Sequence, residues 1–282
     1  MKLLTRMALS FVAGETVKDA VKAVRKLNKK GIMATLDVLG EGVKDKETAD
    51  KAVQAYLDLL DAIPQAGINS HVSLKLTQMG VDIDTEYCYE NMVKIIGKAK
   101  ELNNFVRIDM EGSPHTQRTL DLFYRLRQKF DNVGIVIQAY LFRSEKDIQD
   151  INRIKGKVRI CKGAYKEPKE IAIKKMKDIR QNFLKLADML FKDGVYPAIA
   201  THDEKLIKAT KAYVAEHNIS RDAFECQFLY GIRDKTQQTL AEEGYRVRTY
   251  VPFGTHWLPY FSRRLRERKE NVFFVVKNLF KR

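Results

Sequence analysis

Two adjacent arginines near the end of the chain are the clearest candidates for binding an anion. Arg263 and Arg264 lie in PYFSRRLRERKEN, residues 259–271, where five of the seven residues from 263 to 269 are basic. Paired guanidinium groups bind carboxylates and phosphates well. Because neighbours on a helix point about 100° apart, both can reach one anion only through their long side chains. A solvated basic face, a nucleic-acid contact and a membrane contact are the alternatives.

A second set of polar residues lies at the ends of short apolar runs. Its cations Lys75, Arg159 and Lys162 outnumber Asp109, the acidic partner that we assign to them. Buried cations need anions, so this excess predicts an anionic ligand, either a phosphate or a carboxylate. The set consists of Lys75, Asp109, Glu111, Gln138, Tyr140, Arg159, Lys162, Tyr165, Thr201, His202, Asp203, Gln227, Tyr230, Tyr250, Thr255 and His256.

Each of these residues has a structural alternative. Asp109 and Lys75 could form an ion pair across neighbouring strands, Gln138 could satisfy a backbone group, and Leu229 could be core. The tyrosines could be ordinary half-buried aromatics. His202 has no second histidine at ligand spacing, so no metal is expected. After Lys162, Gly163 and Ala164 would let the backbone approach a ligand closely.

The elements that must position these residues alternate regularly. Eight apolar, β-rich runs occur at residues 32–40, 71–77, 105–112, 133–140, 158–165, 197–203, 224–231 and 247–254, separated by amphipathic helical segments. Eight βα repeats predict a (β/α)₈ barrel, with its chemistry at the carboxyl ends of the strands. An open doubly wound sheet is the alternative, but no GxGxxG follows the first run. A further helix is predicted from Glu15 to Lys30, either beneath the barrel or on its side.

The length of 282 residues fits two small domains or one large barrel, and we expect a single barrel domain over residues 1–282. Apolar residues make up 45% of the chain and the formal net charge is +15, which suits an acidic ligand, nucleic acid, an anionic membrane or simple solubility. Three distant cysteines give no metal or disulfide pattern and fit a reducing cytoplasm. The N-terminus is a poor signal peptide, and no apolar run is long enough to span a membrane.

Several of these segments together resemble one family. FVAGE, ATLDVLGE, VSLKLTQMG, VRIDMEGS, IVIQAYL, VRICKGAY, IATHD, FECQFLYG, VRTYVPFGTHW and YFSRRLRERKEN occur in this order between about residue 11 and residue 271. The set resembles the flavin-dependent proline dehydrogenases in their bacterial monofunctional form. The resemblance implies a (β/α)₈ barrel with a last helix over its mouth, and FAD bound without a Rossmann motif.

The resemblance also implies an activity, namely the oxidation of L-proline to Δ1-pyrroline-5-carboxylate. This is the first step of proline catabolism to glutamate; hydride passes to flavin N5, and electrons then pass to a membrane quinone. The residues implied for substrate binding are Lys75, Tyr165, Leu229, Tyr250, Arg263 and Arg264. Those implied for FAD are Met110, Gln138, Arg159, Lys162, Gly163, Ala164, Thr201 and His202. Asp109 and Arg159 are the implied catalytic residues, with Asp109 balancing cations rather than acting as a strong base.

Some positions and functions remain open. Lys166 stands where some family members carry tryptophan, and Glu267, four residues after Arg263, is placed to orient it. A different flavin barrel, such as a methylenetetrahydrofolate reductase, is the second enzyme hypothesis, and a basic nucleic-acid-binding protein is the third. Peripheral contact with the inner face of the cell membrane is a further hypothesis. It would involve the apolar tail NVFFVVKNLFKR, for which packing on the barrel is the alternative.

Overall fold

Eight parallel strands form a closed barrel in the computed structural model, which describes residues 10–258, 260 and 262. Each strand pairs with the next, and β1 pairs with β8 to close the ring. The predicted (β/α)₈ class is confirmed, and the doubly wound alternative is wrong. The strands are β1 (Met33–Val38), β2 (Ser70–Leu74), β3 (Val106–Ile108), β4 (Val133–Gln138), β5 (Lys157–Cys161), β6 (Ala198–Ala200), β7 (Glu225–Leu229) and β8 (Val247–Phe253).

Helices cover the outside of the barrel. In the described part of the chain, α1 (Val17–Asn28) precedes β1, and seven helices connect successive strands: α2 (Lys46–Gln65), α3 (Thr85–Glu101), α4 (Ser113–Lys129), α5 (Ser144–Arg153), α6 (Met176–Asp193), α7 (Glu204–Glu216) and α8 (Asp234–Glu242). Side-chain caps fix where several of them begin. Asp45, Asp84 and Asp203 each accept a hydrogen bond from the backbone of the first turn, which satisfies amides that have no partner within the helix.

The first helix packs on the side of the barrel. Thr16 and Asp19 form a reciprocal capping box at its start, and Ala20, Ala23 and Val24 are buried. This apolar stripe lies against β1 and β8. In a barrel made of regular βα units, that position is taken by the helix that follows the eighth strand. Of the two predicted positions for the segment from Glu15 to Lys30, the side of the barrel is therefore the observed one, with ends two residues inside the predicted range.

The amino-terminal half of the barrel interior holds buried charges. Arg248 Nε lies 3.0 Å from both carboxylate oxygens of Glu225, and Arg248 Nη1 donates to the Ala34 carbonyl at 2.7 Å. Arg107 donates to the carbonyls of Lys157 and Ile135. Burial alone raises the pKa of Glu225, but Arg248, Gln227 and Arg107 together hold it below its ordinary value. The carboxylate therefore stays ionised and neutralises Arg248, whereas Arg107 is held by backbone carbonyls.

We expect Glu225→Gln to lower the free energy of unfolding by about 3 kcal/mol at pH 7, because it leaves buried guanidinium groups without a carboxylate. Urea denaturation measures the loss. Since the folded-state pKa is lowered, the stabilisation is full above the ordinary carboxyl value of 4.5 and is lost as pH falls through the lowered value. The difference in unfolding free energy between the wild type and the variant should therefore become smaller in acid.

Glu47→Gln is the matched control for this variant. Glu47 pairs with Lys51 at 2.6 Å, but both side chains are largely exposed, so its loss should stay below about 0.5 kcal/mol. Equal losses in the two variants would contradict a structural role for the buried pair.

Candidate functional site

Five side chains from five strands meet at the carboxyl end of the barrel. Asp37 belongs to β1, Lys75 and Asp109 directly follow β2 and β3, Arg159 belongs to β5, and Tyr250 belongs to β8. Alternate residues of a barrel strand point inward, and each of these positions is on the inward set. All five are buried or nearly so. The strand ends thus bring together four of the predicted residues and one, Asp37, that the prediction lacks.

Lys75 is held between two carboxylates. Its Nζ lies 3.1 Å from Asp37 Oδ1 and 3.7 Å from Asp109 Oδ2, and it donates to the Tyr250 hydroxyl at 3.3 Å. Burial by itself lowers the pKa of this amine, but the two carboxylates outweigh it and raise the pKa above its ordinary value. Lys75 is therefore a fixed positive charge at every physiological pH.

Asp109 has a hydrogen-bond donor on each of its carboxylate oxygens. Arg159 donates to Oδ1 at 2.7 Å, and the Tyr250 hydroxyl donates to Oδ2 at 2.7 Å. Burial and the nearby carboxylates Asp109 and Asp37 raise the pKa of Tyr250 well above its usual range, so the phenol remains a neutral donor. Arg159 also donates to Ser73 Oγ at 2.9 Å. Asp109 thus orients an arginine and a tyrosine through its two oxygens.

The excess of cations is smaller than predicted in the described part of the mouth. Asp37 supplies a second carboxylate, and Lys162 shares the carboxylate of Asp203 with Arg180, at 3.2 and 2.7 Å. With all groups ionised, Lys75 and Arg159 are balanced by Asp37 and Asp109. The signal for Asp37 was a single acidic residue at an inward position of the apolar run ATLDVLG. Burial, with a further contribution from Asp109, raises the pKa of Asp37, and Lys75 opposes that shift.

Gln138 contacts a backbone group, as its structural alternative predicts. Its Nε2 donates to the Glu111 carbonyl at 3.0 Å, and its backbone carbonyl accepts a hydrogen bond from Ser144 Oγ at 2.6 Å. Glu111 in turn accepts hydrogen bonds from the amide and hydroxyl of Thr77. These bonds fix the loops after β2, β3 and β4. Met110, in the loop after β3, is buried.

Gly163 is needed for packing inside the protein. Its φ is +112°, and a Cβ there would lie 2.3 Å from the Tyr140 ring. The glycine is thus explained by Tyr140 without any ligand, although the same loop carries Lys162 at the mouth. Ala164 is exposed, and Tyr165 is half-buried.

His202 links two strand ends. Its Nε2 accepts the backbone N–H of Leu229 at 2.9 Å, which requires that nitrogen to be unprotonated. Thr201 Oγ1 accepts the amide of Asp203 at 3.1 Å. Both residues therefore have structural tasks at the mouth. In the described part of the chain, no cluster of three or more His, Cys, Asp and Glu side chains is arranged to hold a metal ion.

An apolar cluster beside Tyr250 includes residues far away in sequence. Phe11 and Val12, which precede α1, pack with Leu39, Ile232 and Tyr250, and half-buried Leu229 packs against them. The prediction placed Leu229 and Tyr250 in the substrate site but gave no role to Phe11 or Val12. The segment FVAGE carried a family likeness without indicating that its side chains reach the barrel mouth.

Arg263, Arg264 and Glu267 lie outside the described residues, as does the tail after Glu270. Their roles therefore stay predictions. Among residues 10–258, 260 and 262, no helix combines the length and the apolar composition needed to cross a membrane.

Comparisons with known proteins agree with this architecture. The family described as "Proline dehydrogenase" matches residues 20–277. Proline dehydrogenase 2 of Bacillus subtilis (strain 168) is 42% identical over 272 residues, which cover 96% of this chain and 90% of the relative. Proline dehydrogenase of Deinococcus radiodurans is 40% identical over 280 residues, covering 98% of this chain and 90% of the relative.

A solved structure has the same fold. It is proline utilization A (PutA) from Bdellovibrio bacteriovorus, inactivated by N-propargylglycine, with a TM-score of 0.86 and 25% sequence identity. The match covers 93% of this chain and 32% of that chain. This chain therefore spans about a third of the length of the PutA protein.

The Asp37–Lys75 pair provides a test of the charge balance. We expect Asp37→Asn to cost about 3 kcal/mol of unfolding free energy, because it removes the nearest counter-charge of a buried amine. Adding Lys75→Met should recover much of that loss, because no buried charge is then left without its partner. A urea-denaturation double-mutant cycle measures this coupling.

The pair between Lys98 and Asp61, 2.7 Å apart on the surface, is the control for this cycle. Asp61→Asn and Lys98→Met should show a coupling below about 1 kcal/mol. Strictly additive losses for Asp37→Asn and Lys75→Met would contradict the mutual dependence of the two buried charges.

Proposed function

Because the chain belongs to the proline dehydrogenase family, we propose that it oxidises L-proline to Δ1-pyrroline-5-carboxylate, with FAD as cofactor and a membrane quinone as the final electron acceptor. The observation that carries the proposal is the convergence of Lys75, Asp109 and Tyr250 at the barrel mouth, in a chain that the family matches over residues 20–277. The catalytic unit in this proposal is one barrel domain, acting at the inner face of the cell membrane.

The charged residues suit a small zwitterionic substrate. Proline carries a carboxylate and a secondary ammonium group at neutral pH, and Lys75 presents a permanent cation at the barrel mouth. A single buried amine is a weak clamp for a carboxylate, so the proposal keeps Arg263 and Arg264 as the groups that bind it from above. Tyr165, Leu229 and Tyr250 would enclose the ring.

Asp109 serves the reaction by orientation. Its two oxygens accept hydrogen bonds from Arg159 and Tyr250, so it holds the tyrosine ring and the guanidinium group in fixed positions. Holding the substrate and the surrounding groups in one geometry lowers the barrier chiefly by proximity and orientation. The substrate amine must lose its proton before or during oxidation, and Asp109 is poorly placed to take it.

The donor set at the mouth fits a flavin. The Nε of Arg159 is buried and has no hydrogen-bond partner among the described residues, while its other two nitrogens are used by Asp109 and Ser73. A flavin ring presents carbonyl and nitrogen acceptors that such a donor can satisfy. FAD, when bound, would supply the two-electron redox chemistry. Arg159 and Lys162 would hold it, together with Met110, Gln138, Gly163, Ala164, Thr201 and His202.

The methylenetetrahydrofolate reductase and nucleic-acid hypotheses find no support in these comparisons, because the family match and both relatives are proline dehydrogenases. The +15 charge alone does not favour either.

Anaerobic addition of L-proline to the purified, FAD-loaded protein tests the function. We expect the yellow flavin absorbance to bleach on adding L-proline and to return when a quinone is added. D-proline, which has the same functional groups with inverted geometry, is the control and should bleach the flavin far more slowly. A protein that cannot be loaded with FAD, or that is not reduced by L-proline, would contradict the proposal.

Arg263→Met and Arg264→Met test the clamp. Each should raise KM for proline by about a hundredfold or more, since a charge-assisted contact to the carboxylate is lost, while FAD absorbance stays unchanged. Arg266→Met is the matched control, as it lies in the same basic run without a predicted ligand contact. Unchanged proline kinetics in both arginine variants would exclude the clamp.

A further inference from the structure

One exposed surface beside the barrel mouth is both apolar and basic. It consists of Phe142, in the loop after β4, and residues 166–177, which run from the loop after β5 to the start of α6. Phe142 is 57% exposed, Ile171 37% and Met176 45%. They are three of the six large apolar residues that are exposed in the described part of the chain, and apolar residues exposed together, rather than singly, can mark an interaction surface. We call this set the lysine-rich face.

The two segments of the lysine-rich face are joined by backbone hydrogen bonds. Phe142 N donates to the Ile171 carbonyl at 3.1 Å, and Ile173 N donates to the Tyr140 carbonyl at 2.7 Å. Leu141 and Ala172 form an antiparallel bridge between them. The apolar tips are therefore presented by an ordered piece of backbone, so little conformational entropy would be lost if they were buried against a partner.

The charges of this face are largely uncompensated. Lys166, Lys169, Lys174, Lys175 and Lys177 are all exposed, and none is in an ion pair with a carboxylate in the described part of the chain. Exposed acidic residues within the same stretch are limited to Glu170, because Glu167 is buried. Lys162, at the start of this loop, differs in that it pairs with Asp203.

We propose that the lysine-rich face docks the protein on an anionic lipid bilayer. Exposed apolar side chains that enter the interface, flanked by lysines that attract acidic headgroups, are the composition of a peripheral membrane contact. The choice of a bilayer rests on charge complementarity together with the bulky apolar tips. A nucleic-acid site would instead combine basic residues with aromatic platforms for base stacking, and Phe142 is the one aromatic among the exposed large apolar residues of this face.

The position of the lysine-rich face gives the contact a consequence for the reaction. All its segments lie at the carboxyl end of the barrel, and Lys162 Nζ lies 3.7 Å from Met176 Sδ. The surface therefore borders the residues proposed to hold FAD. The docking proposal rests on the proposed function in one respect, because a bilayer bound at this face would bring a membrane quinone to the side of the barrel where FAD is proposed to bind.

Vesicle sedimentation with the full chain, loaded with FAD, tests the proposal. We expect the wild type to pellet at low salt with vesicles of phosphatidylcholine and phosphatidylglycerol, and far less with phosphatidylcholine alone. Lys169→Gln/Lys175→Gln/Lys177→Gln should weaken the partition coefficient by about a hundredfold, given about 1 kcal/mol per lysine near an anionic surface. Phe142→Ser should weaken it by about tenfold.

Lys26→Gln/Lys29→Gln/Lys30→Gln is the matched control. These three exposed lysines lie at the end of α1, on the opposite face of the barrel, and their loss removes the same charge. We expect this control to keep most of the vesicle binding. Equal weakening by the two triple variants would overturn the proposal, as would absence of vesicle binding at low salt, or RNA binding that is stronger than vesicle binding and is lost in the same variant.

Activity assays separate this proposal from the proposed function. With a soluble dye as electron acceptor, both triple variants should oxidise proline like the wild type, whereas with quinone embedded in anionic vesicles the Lys169/Lys175/Lys177 variant alone should slow. A wild type that binds vesicles through this face but does not oxidise proline with the dye would contradict the proposed function and leave the docking surface standing. Equal rates of the two triple variants with embedded quinone would contradict the proposal that this face positions the protein for electron transfer to the quinone.

Discussion

Charge balance inside the barrel is the constraint on which the rest of this structure depends. A closed ring of eight parallel strands has a narrow interior, and here its inward positions carry cations at several levels. Lys75 and Arg159 near the mouth are neutralised by Asp37 and Asp109, and Arg248 lower down is neutralised by Glu225. Removing any one of these carboxylates would leave a cation in a place where water cannot solvate it. The site and the stability of the barrel thus share the same residues.

The same charged groups are joined by hydrogen bonds that orient the side chains of the mouth. Asp109 bridges Arg159 and Tyr250, Lys75 bridges Asp37 and Tyr250, and Gln138 and Glu111 fix the adjoining loops through backbone groups. Each member is held by at least one neighbour from a different strand. A ligand that binds there meets groups that are already oriented, so little of its binding energy is needed to order them.

The fold could be predicted from the sequence, because each strand is a short apolar run and each helix has its own periodicity. The predicted mouth residues followed from the same pattern, since the carboxyl ends of parallel strands must meet. What could not be predicted depends on pairing across the barrel. Asp37 becomes the partner of Lys75 only because β1 and β2 are neighbours in the barrel. Gly163 is explained by the Tyr140 ring, which leaves no room for a Cβ atom at this position. Phe11 reaches Tyr250 from the other end of the chain, which no local pattern signals.

The position of α1 has a consequence for the order in which the protein is made. Its buried stripe lies against β1, which follows it at once, and against β8, which begins at Val247. During synthesis the first helix must wait for the last strand before its apolar side is covered. Until then the nascent chain keeps an unburied surface, a condition that favours association with chaperones or with other unfinished chains. Closure of the ring and full coverage of α1 are thus one event, which requires that β8 has been synthesised.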